Sequence, residues 1–165
     1  MWLRRSLLKN NMANTFSQVY LQFVFAVKKR EYLIPREHKE VVHRYITGLI
    51  QNRGCKLLAI HCMPDHLHVF TGYRPVIPIP DLVKEIKVES NEFINKQSWM
   101  KAKFAWQTGY GVFSYSQSHI GNVISYINNQ ETHHQKQSFR DEYIRFLKKF
   151  EIHYEDKYLF DFLDE

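Results

Sequence analysis

The sequence predicts an α+β fold in which one antiparallel sheet is covered by helices. Short stretches alternate apolar and polar residues, which is the period of a strand with one buried face. Longer stretches repeat apolar residues every three or four positions, which is the period of an amphipathic helix. Along the chain these patterns follow each other in the order β-α-β-β-α-β, with further helical patterns at the end.

Five elements are predicted in the N-terminal half. In chain order they are a strand over 16–27, a helix over 35–52, strands over 55–63 and 66–73, and a helix over 79–97. Pro35 suits the first turn of the first helix, and Gly54 is typical of the position just beyond a helix end. Pro64 and Asp65 are expected to form the turn between the second and third strands.

The C-terminal half is predicted to add a fourth strand, or a twisted hairpin around Gly109 and Gly111, over 104–116. A third helix follows with Ser118 as its N-cap, and a last helix begins near Phe139. The complete order is that of the split βαβ, or ferredoxin-like, fold. We therefore expect helices on one face of the sheet, with C-terminal helices appended to it.

Length and composition indicate one domain. A chain of 165 residues with twelve Phe and ten Tyr can bury one sizeable core, and no stretch approaches the length of a membrane span. Cys55 and Cys62 lie seven positions apart in one predicted strand, so they should face opposite sides and remain unpaired, as in a reducing cytoplasm. We expect a cytoplasmic protein with a single domain over 13–165 and a poorly ordered extension over 1–12.

Positive charge is concentrated in the middle of the chain. The formal net charge is +6, and residues 13–150 alone hold 19 basic and 11 acidic side chains. Such an excess favours a polyanionic partner, because contacts with phosphates release bound counterions. Charge alone leaves an ordinary basic surface as the alternative.

Two histidines at the start of the third strand are candidate metal ligands. They occur in the segment Met63-Pro64-Asp65-His66-Leu67-His68-Val69. Because successive strand side chains point to opposite faces, His66 and His68 share one face while Leu67 points into the core on the other. Asp65 is expected first to shape the turn, and second to orient a histidine. A metal held by this pair would need a third protein ligand.

The third helix offers that ligand in the segment Tyr126-Ile127-Asn128-Asn129-Gln130. Tyr126 and Gln130 lie four positions apart and therefore on the same helix face. The Gln130 side chain could supply a neutral oxygen, which suits magnesium or manganese beside imidazoles. Tyr126 would then be a nucleophile next to the cation, a complete arrangement for phosphoryl transfer. His133 and His134, one turn further on, could approach the metal or the DNA, but are expected to be surface residues at the helix end.

Together the two segments resemble those of the single-tyrosine HUH transposases, the small transposases of the insertion-sequence two-hundred type, and their relatives associated with repetitive extragenic palindromes. The resemblance covers about residues 16–150. It implies that His66, His68 and Gln130 bind Mg²⁺ or Mn²⁺. It also implies that Tyr126, on an appended C-terminal helix, attacks single-stranded DNA to leave a 5′-phosphotyrosine and a free 3′-hydroxyl, which later rejoins strands.

The resemblance has further implications for partners. It implies that the protein recognises DNA hairpins at the ends of a mobile element and forms a homodimer, in a bacterial or archaeal cell where it associates with the nucleoid. Membrane association is not expected.

Other functions remain open from the residues. Residues 109–115 partly match the RNP1 pattern of RRM-type RNA-binding modules, which share the βαββαβ order, although Phe113 would leave the stacking face. Another HUH endonuclease, of the replication-initiator type, is a second alternative, although the lysine often found three residues after the tyrosine is Asn129 here. A zinc hydrolase that uses His61 with His66 and His68 would leave Tyr126 without a role.

Overall fold

The computed structural model describes residues 16–29 and 33–163; the predicted extension over 1–12 lies outside them. In this part of the chain, four antiparallel strands form one sheet in the order β2-β3-β1-β4. The strands are β1 (Val19–Ala26), β2 (Lys56–Cys62), β3 (His66–Tyr73) and β4 (Gly111–Tyr115). The predicted α+β class is confirmed, and β3 has the predicted bounds.

Helices cover both faces of this sheet. They are α1 (Lys39–Asn52), α2 (Ile79–Lys96), α3 (Ile120–Asn128), α4 (Gln130–His134) and α5 (Phe139–Lys149). The helices α1 and α2 pack on one face of the sheet and form the main core cluster with it. The helices α3 and α5 pack on the other face of the sheet. Among the described residues, no helix is both long enough and apolar enough to span a membrane.

The alternation of side chains along the two central strands separates the two cores. Phe23 of β1 and Leu67 of β3 point toward α1 and α2 and are fully buried. Val24 of β1 points the opposite way, toward α5. At Gly111 of β4, an added Cβ would lie 2.8 Å from the Tyr143 ring, so the absence of a side chain there lets α5 approach the sheet closely.

An irregularity in β2 corrects the prediction for the cysteines. The pairing of β2 with β3 shifts register between Leu57 and Ala59, where β2 contains one extra residue. Because this residue reverses the alternation, Cys55 and Cys62 do not face opposite sides, and both are buried in the same core cluster. Both remain free thiols, as predicted. The same shift turns His61 toward the face that carries His68, its partner across the strands.

The region over 104–116 contains less strand than predicted. Only residues 111–115 form a strand, because the Asn95 side chain of α2 bonds both backbone groups of Phe104 and so replaces a strand neighbour. Ser118 is not the N-cap of α3, since a 3₁₀ turn over Gln117–His119 precedes that helix. The start of α5 at Phe139 is confirmed, and the side chain of Ser138 caps it.

Leu67 should be essential for the stability of the fold, because it lies fully buried between the two histidines on the central strand β3. Leu67→Ala removes its packing and leaves a cavity, so we expect the free energy of unfolding to fall by about 2–5 kcal/mol. Urea denaturation followed by circular dichroism measures this change. Val88→Ala, at an exposed position of α2, should change it by about 0.5 kcal/mol or less. Equal losses in both variants would contradict the assigned role of Leu67.

Candidate active site

His66 and His68 lie on one face of β3, as predicted, and both are fully buried beneath the C-terminal helices. Their ring centroids are 5.2 Å apart. The ring of His66 stacks on Phe139 of α5, at 4.0 Å between centroids. Both rings therefore have fixed orientations, with their Nε2 atoms directed at groups on α4 and α5.

Gln130 reaches the histidines from α4. The helical run is interrupted after Asn128, and Gln130 begins the next short helix with its side chain completely buried. Its Oε1 atom lies 3.4 Å from His66 Nε2, and its Nε2 atom donates to Glu142 Oε1 at 2.9 Å. The structure thus brings together the three residues that the sequence predicts as ligands.

Two further residues complete this cluster. Sequence reasoning missed Glu142, and it preferred a surface position for His134 over one near the metal. Glu142 of α5 is buried, and its Oε2 atom lies 3.3 Å from His68 Nε2 and 3.0 Å from His134 Nε2. His134 also lies 3.0 Å from Gln130 Oε1, so the prediction that it is a surface residue is wrong. A signal was present for Glu142: it follows Phe139 by three positions and precedes Phe146 by four, on the apolar stripe of α5.

Tyr126 contacts the cluster within the same chain. Its hydroxyl donates a hydrogen bond to Glu142 Oε1 and accepts one from Arg145 Nη2 at 3.1 Å. The ring is half-buried, with Phe146 on its edge and His133 at 4.6 Å between centroids. The two oxygens of Glu142 thus face different groups, since Oε1 binds the tyrosine and Oε2 faces the histidines.

Burial and charge set the protonation of these groups. Burial lowers the pKa of His68, although Glu142 opposes the effect, so the imidazole is neutral. Burial alone would raise the pKa of the Glu142 carboxyl, but His68 and His134 outweigh this and hold it far below its ordinary value. Burial, reinforced by Glu142, raises the pKa of Tyr126, and Arg145 offsets only part of this rise. The tyrosine is therefore protonated at neutral pH.

Outer contacts hold both strand histidines. The Nδ1–H of His66 donates to Asp65 Oδ1 at 2.7 Å, so the turn residue also orients a metal-ligand candidate. Burial would raise the pKa of Asp65, but this hydrogen bond lowers it. The Nε2 group of Gln22 donates to His68 Nδ1 at 2.9 Å, and Gln22 Oε1 accepts from the Tyr115 hydroxyl at 2.8 Å.

The donor set fits a divalent cation. One ligand atom from each of His66, His68, His134 and Glu142 lies within 4.8 Å of the others. Ligands at about 2.1 Å from one ion are themselves about 3–4 Å apart. Glu142 Oε2 lies in this range, at 3.7, 3.3 and 3.0 Å from the Nε2 atoms of His66, His68 and His134. His66 Nε2 lies 3.4 Å from Gln130 Oε1, an acceptor atom, while Asp65 accepts the Nδ1–H of the same ring. A cation between these two atoms would stabilise the arrangement.

The profile of the family described as "Transposase IS200 like" matches residues 15–130 of the chain, which include His66, His68, Tyr126 and Gln130. The chain belongs to the IS200-like transposases. A curated relative, the ISDra2 transposase TnpA of Deinococcus radiodurans, is 22% identical over 118 residues, covering 68% of this transposase and 84% of the relative. Members of the family cleave DNA and transfer strands.

Solved structures show the same fold. A crystal structure of a candidate transposase from Deinococcus radiodurans R1 aligns with a TM-score of 0.56 and 23% identity, covering 71% of this transposase and 94% of that chain. A REP-associated tyrosine transposase bound to a REP hairpin also aligns with a TM-score of 0.56, at 14% identity, covering 73% of this transposase and 71% of that chain.

The structure of the transposase argues against two of the alternatives. An RRM-type module needs an open sheet face on which bases can stack, but helices cover both faces here, and Phe113 is buried against Phe146. A hydrolase site with His61 as a zinc ligand does not form among the described residues. His61 Nε2 has no hydrogen-bond partner, lies outside the cluster, and is 3.8 Å from Glu131.

Asp65 should tune the affinity of the transposase for metal. In Asp65→Asn the charged acceptor that fixes the Nδ1–H of His66 is lost, so the ring no longer presents Nε2 reliably to the cluster. We expect the dissociation constant for Mn²⁺, measured by isothermal titration calorimetry, to rise about tenfold. Asp156→Asn, which removes an exposed carboxylate elsewhere, is the matched control. Unchanged affinity in Asp65→Asn would exclude the orienting role.

Proposed function

We propose that this transposase cleaves and rejoins single-stranded DNA through a covalent bond between Tyr126 and a 5′-phosphate, at a site that holds a divalent cation. One observation carries the proposal. The Tyr126 hydroxyl binds the same Glu142 carboxylate that gathers three histidines and Gln130. A nucleophile thus adjoins a set of metal-binding atoms, the combination that phosphodiester cleavage needs.

The cleavage step exchanges one phosphate ester for another. The bond between Tyr126 Oη and phosphorus forms while the bond between phosphorus and the 3′ oxygen breaks. The phenol gives its proton to water, because the pKa of the Glu142 carboxyl lies too far below its ordinary value for it to keep the proton, and the departing 3′ oxygen takes up a proton to become a hydroxyl. Rejoining reverses these events, because a 3′-hydroxyl attacks the phosphotyrosine and returns Tyr126. The covalent link conserves the ester, so no nucleotide cofactor is consumed.

The ligands of the cation would be His66, His68 and Gln130, with His134 and Glu142 beside them. Bound there, a cation would polarise the phosphodiester and favour the phenolate form of the tyrosine. With His134, the donor set contains a third imidazole and is softer than magnesium prefers. Of Mg²⁺ and Mn²⁺, we therefore propose manganese as the better fit.

The network around His68 can adapt to such a cation. As a ligand, His68 Nε2 must carry no hydrogen, and Nδ1 must then donate. Gln22 meets this need if its amide turns over, so that its oxygen accepts from Nδ1 and its nitrogen donates to the Tyr115 hydroxyl. Both neighbours of Gln22 can either donate or accept, so this exchange leaves no group without a partner.

The proposed DNA partner is supported by the positive charge of the chain and by the relatives. The excess of basic groups over residues 13–150 suits a phosphate backbone. Because a REP hairpin is bound to the REP-associated relative, we propose hairpins near the element ends as the recognised structures. We also propose a homodimer in which each subunit's Tyr126 serves its own site, since the hydroxyl contacts Glu142 of the same chain.

The decisive experiment incubates the protein with labelled single-stranded DNA from the flanks of its gene, with Mn²⁺, with Mg²⁺ and with chelator. We expect a protein–DNA band that survives denaturation, forms faster with manganese than with magnesium, and is absent with chelator. Binding to RNA without any covalent DNA product would instead favour an RNA-binding module. Absence of the band with every metal and flank would overturn the proposed chemistry.

A further inference from the structure

A cavity adjoins Tyr126, and none of the metal-ligand candidates lines it. It lies where the end of β4 meets α3, α4 and α5, and its volume is about 450 Å³. The residues that line it are Tyr115, His119, Asn122, Val123, Tyr126, His133, Arg145, Phe146 and Lys149. We call this space the tyrosine pocket. It is distinct from the buried donor cluster, since among its lining only Tyr126 contacts Glu142 directly.

The charged side chains of the tyrosine pocket are all of one sign. Arg145 and Lys149, one turn apart on α5, contribute permanent positive charge, and no acidic residue belongs to the lining. The guanidinium of Arg145 lies 5.9 Å from the centre of the Tyr126 ring. The Lys149 ammonium lies 5.8 Å from the centre of the Tyr115 ring. The pocket therefore attracts an anion to the neighbourhood of the tyrosine.

The rest of the lining is apolar and aromatic. Val123 and Phe146 are buried and form an apolar base, while Tyr115 is held in place by the hydrogen bond from its hydroxyl to Gln22. Cations beside aromatic surfaces are the combination that binds a nucleotide of a single strand, because the phosphate needs charge and the base needs an apolar contact.

The surroundings of the Tyr126 hydroxyl restrict where a phosphate can approach. On one side the hydroxyl faces Glu142, which is almost completely buried and leaves no open approach. On the other side lies Arg145, which is exposed and donates to the hydroxyl at 3.1 Å. A phosphodiester that reaches Tyr126 therefore comes from the Arg145 side, past the tyrosine pocket.

We propose that the tyrosine pocket binds the nucleotide of single-stranded DNA whose 5′-phosphate Tyr126 attacks, with Lys149 and Arg145 contacting its backbone and the apolar base contacting its base or sugar. This inference rests on the proposed function and adds a substrate subsite to it. It predicts that Lys149 contributes to DNA binding through a specific contact and not only through the general charge of the protein.

A pair of neighbouring lysines tests this contact. Lys148 and Lys149 are both exposed on α5, but only Lys149 lines the pocket. The probe is a fluorescein-labelled single strand from the gene's flank, titrated without metal so that no cleavage occurs. We expect Lys149→Ala to raise the dissociation constant about five- to tenfold and to reduce the salt dependence by about one phosphate contact. Lys148→Ala, which removes the same charge, should change affinity less than about twofold.

A steric variant provides a second measurement. Asn122→Trp places a large ring in the pocket from an exposed position of α3, and Asn128→Trp makes the same change at an exposed position outside the lining. We expect Asn122→Trp to slow covalent adduct formation at least about tenfold while its Mn²⁺ affinity and thermal unfolding match those of Asn128→Trp.

The outcomes separate the pocket from the chemistry. If the wild type forms adducts while both lysine variants bind alike and Asn122→Trp reacts normally, the pocket proposal is overturned and the proposed function stands. If no adduct forms but Lys149→Ala alone loses binding, the pocket stands as a nucleotide site and the tyrosine chemistry fails.

Discussion

Replacing Tyr126 by phenylalanine is expected to abolish covalent capture of single-stranded DNA, with a loss of about a thousandfold or more. The change removes only the hydroxyl, which is the proposed attacking atom. The ring contacts with Phe146 and His133 remain, so the fold and the affinity for DNA should stay close to those of the wild type. Denaturing gel electrophoresis of labelled DNA after incubation with Mn²⁺ measures the adduct.

A second tyrosine provides the control for this experiment. Tyr158 is 75% exposed and lies outside the cluster, so Tyr158→Phe should form adducts at the wild-type rate. Adducts that persist in Tyr126→Phe, or that disappear in Tyr158→Phe alone, would remove Tyr126 from the role of nucleophile.

Glu142→Gln is expected to have the second largest effect, on metal binding and on cleavage together. Glutamine has nearly the same shape, so packing beneath α5 is kept, but the negative charge that attracts a cation to three imidazoles is lost. We expect the dissociation constant for Mn²⁺ to rise about a hundredfold, as measured by isothermal titration calorimetry, and adduct formation to fall in parallel. The same variant also lacks the charged acceptor of the hydrogen bond from the Tyr126 hydroxyl.

The neighbouring residue on α5 is a matched control. Asp141→Asn makes the same chemical change at an exposed position and should leave Mn²⁺ affinity within about twofold of the wild type. Wild-type affinity in Glu142→Gln would mean that the carboxylate only organises hydrogen bonds. Loss of adduct without loss of metal affinity would assign Glu142 to the tyrosine and not to the cation.

Much of the fold could be predicted because its signals are local. The alternation after the Pro64-Asp65 turn predicts β3 with its observed bounds, and Ser138 marks the start of α5. The extra residue between Leu57 and Ala59 could not be predicted, because no glycine or proline marks it. That single residue decides which face Cys55 and His61 occupy, so the prediction that Cys55 and Cys62 face opposite sides, which assumed strict alternation, is wrong.

The candidate site, like the fold, could be predicted from the sequence only in part. The pairs His66/His68 and Tyr126/Gln130 are recognisable because each has a short spacing along the chain, although Gln130 begins the helix after the one that carries Tyr126, and not the same helix as predicted. His134 lies four positions after Gln130 on α4, whereas Glu142 joins them only through the packing of α5 on the sheet, where Tyr143 contacts the bare backbone of Gly111. Such a contact spans distant parts of the chain, and the period of α5 alone indicates only that Glu142 faces inward.

The origin of the ligands has a mechanical consequence. His66 and His68 belong to a central strand, whereas Gln130, His134 and Glu142 belong to the short helices laid over it. A cation bound between them would link the sheet to the helices that pack over it, in addition to the side-chain packing between these two layers. Binding of the ion and packing of the C-terminal helices are then coupled. At a free ion concentration of a hundred times its dissociation constant, binding would stabilise the packed helices by about 2.7 kcal/mol. The helix that carries Glu142, the hydrogen-bond partner of the nucleophile, is thus anchored most firmly when the ion is bound.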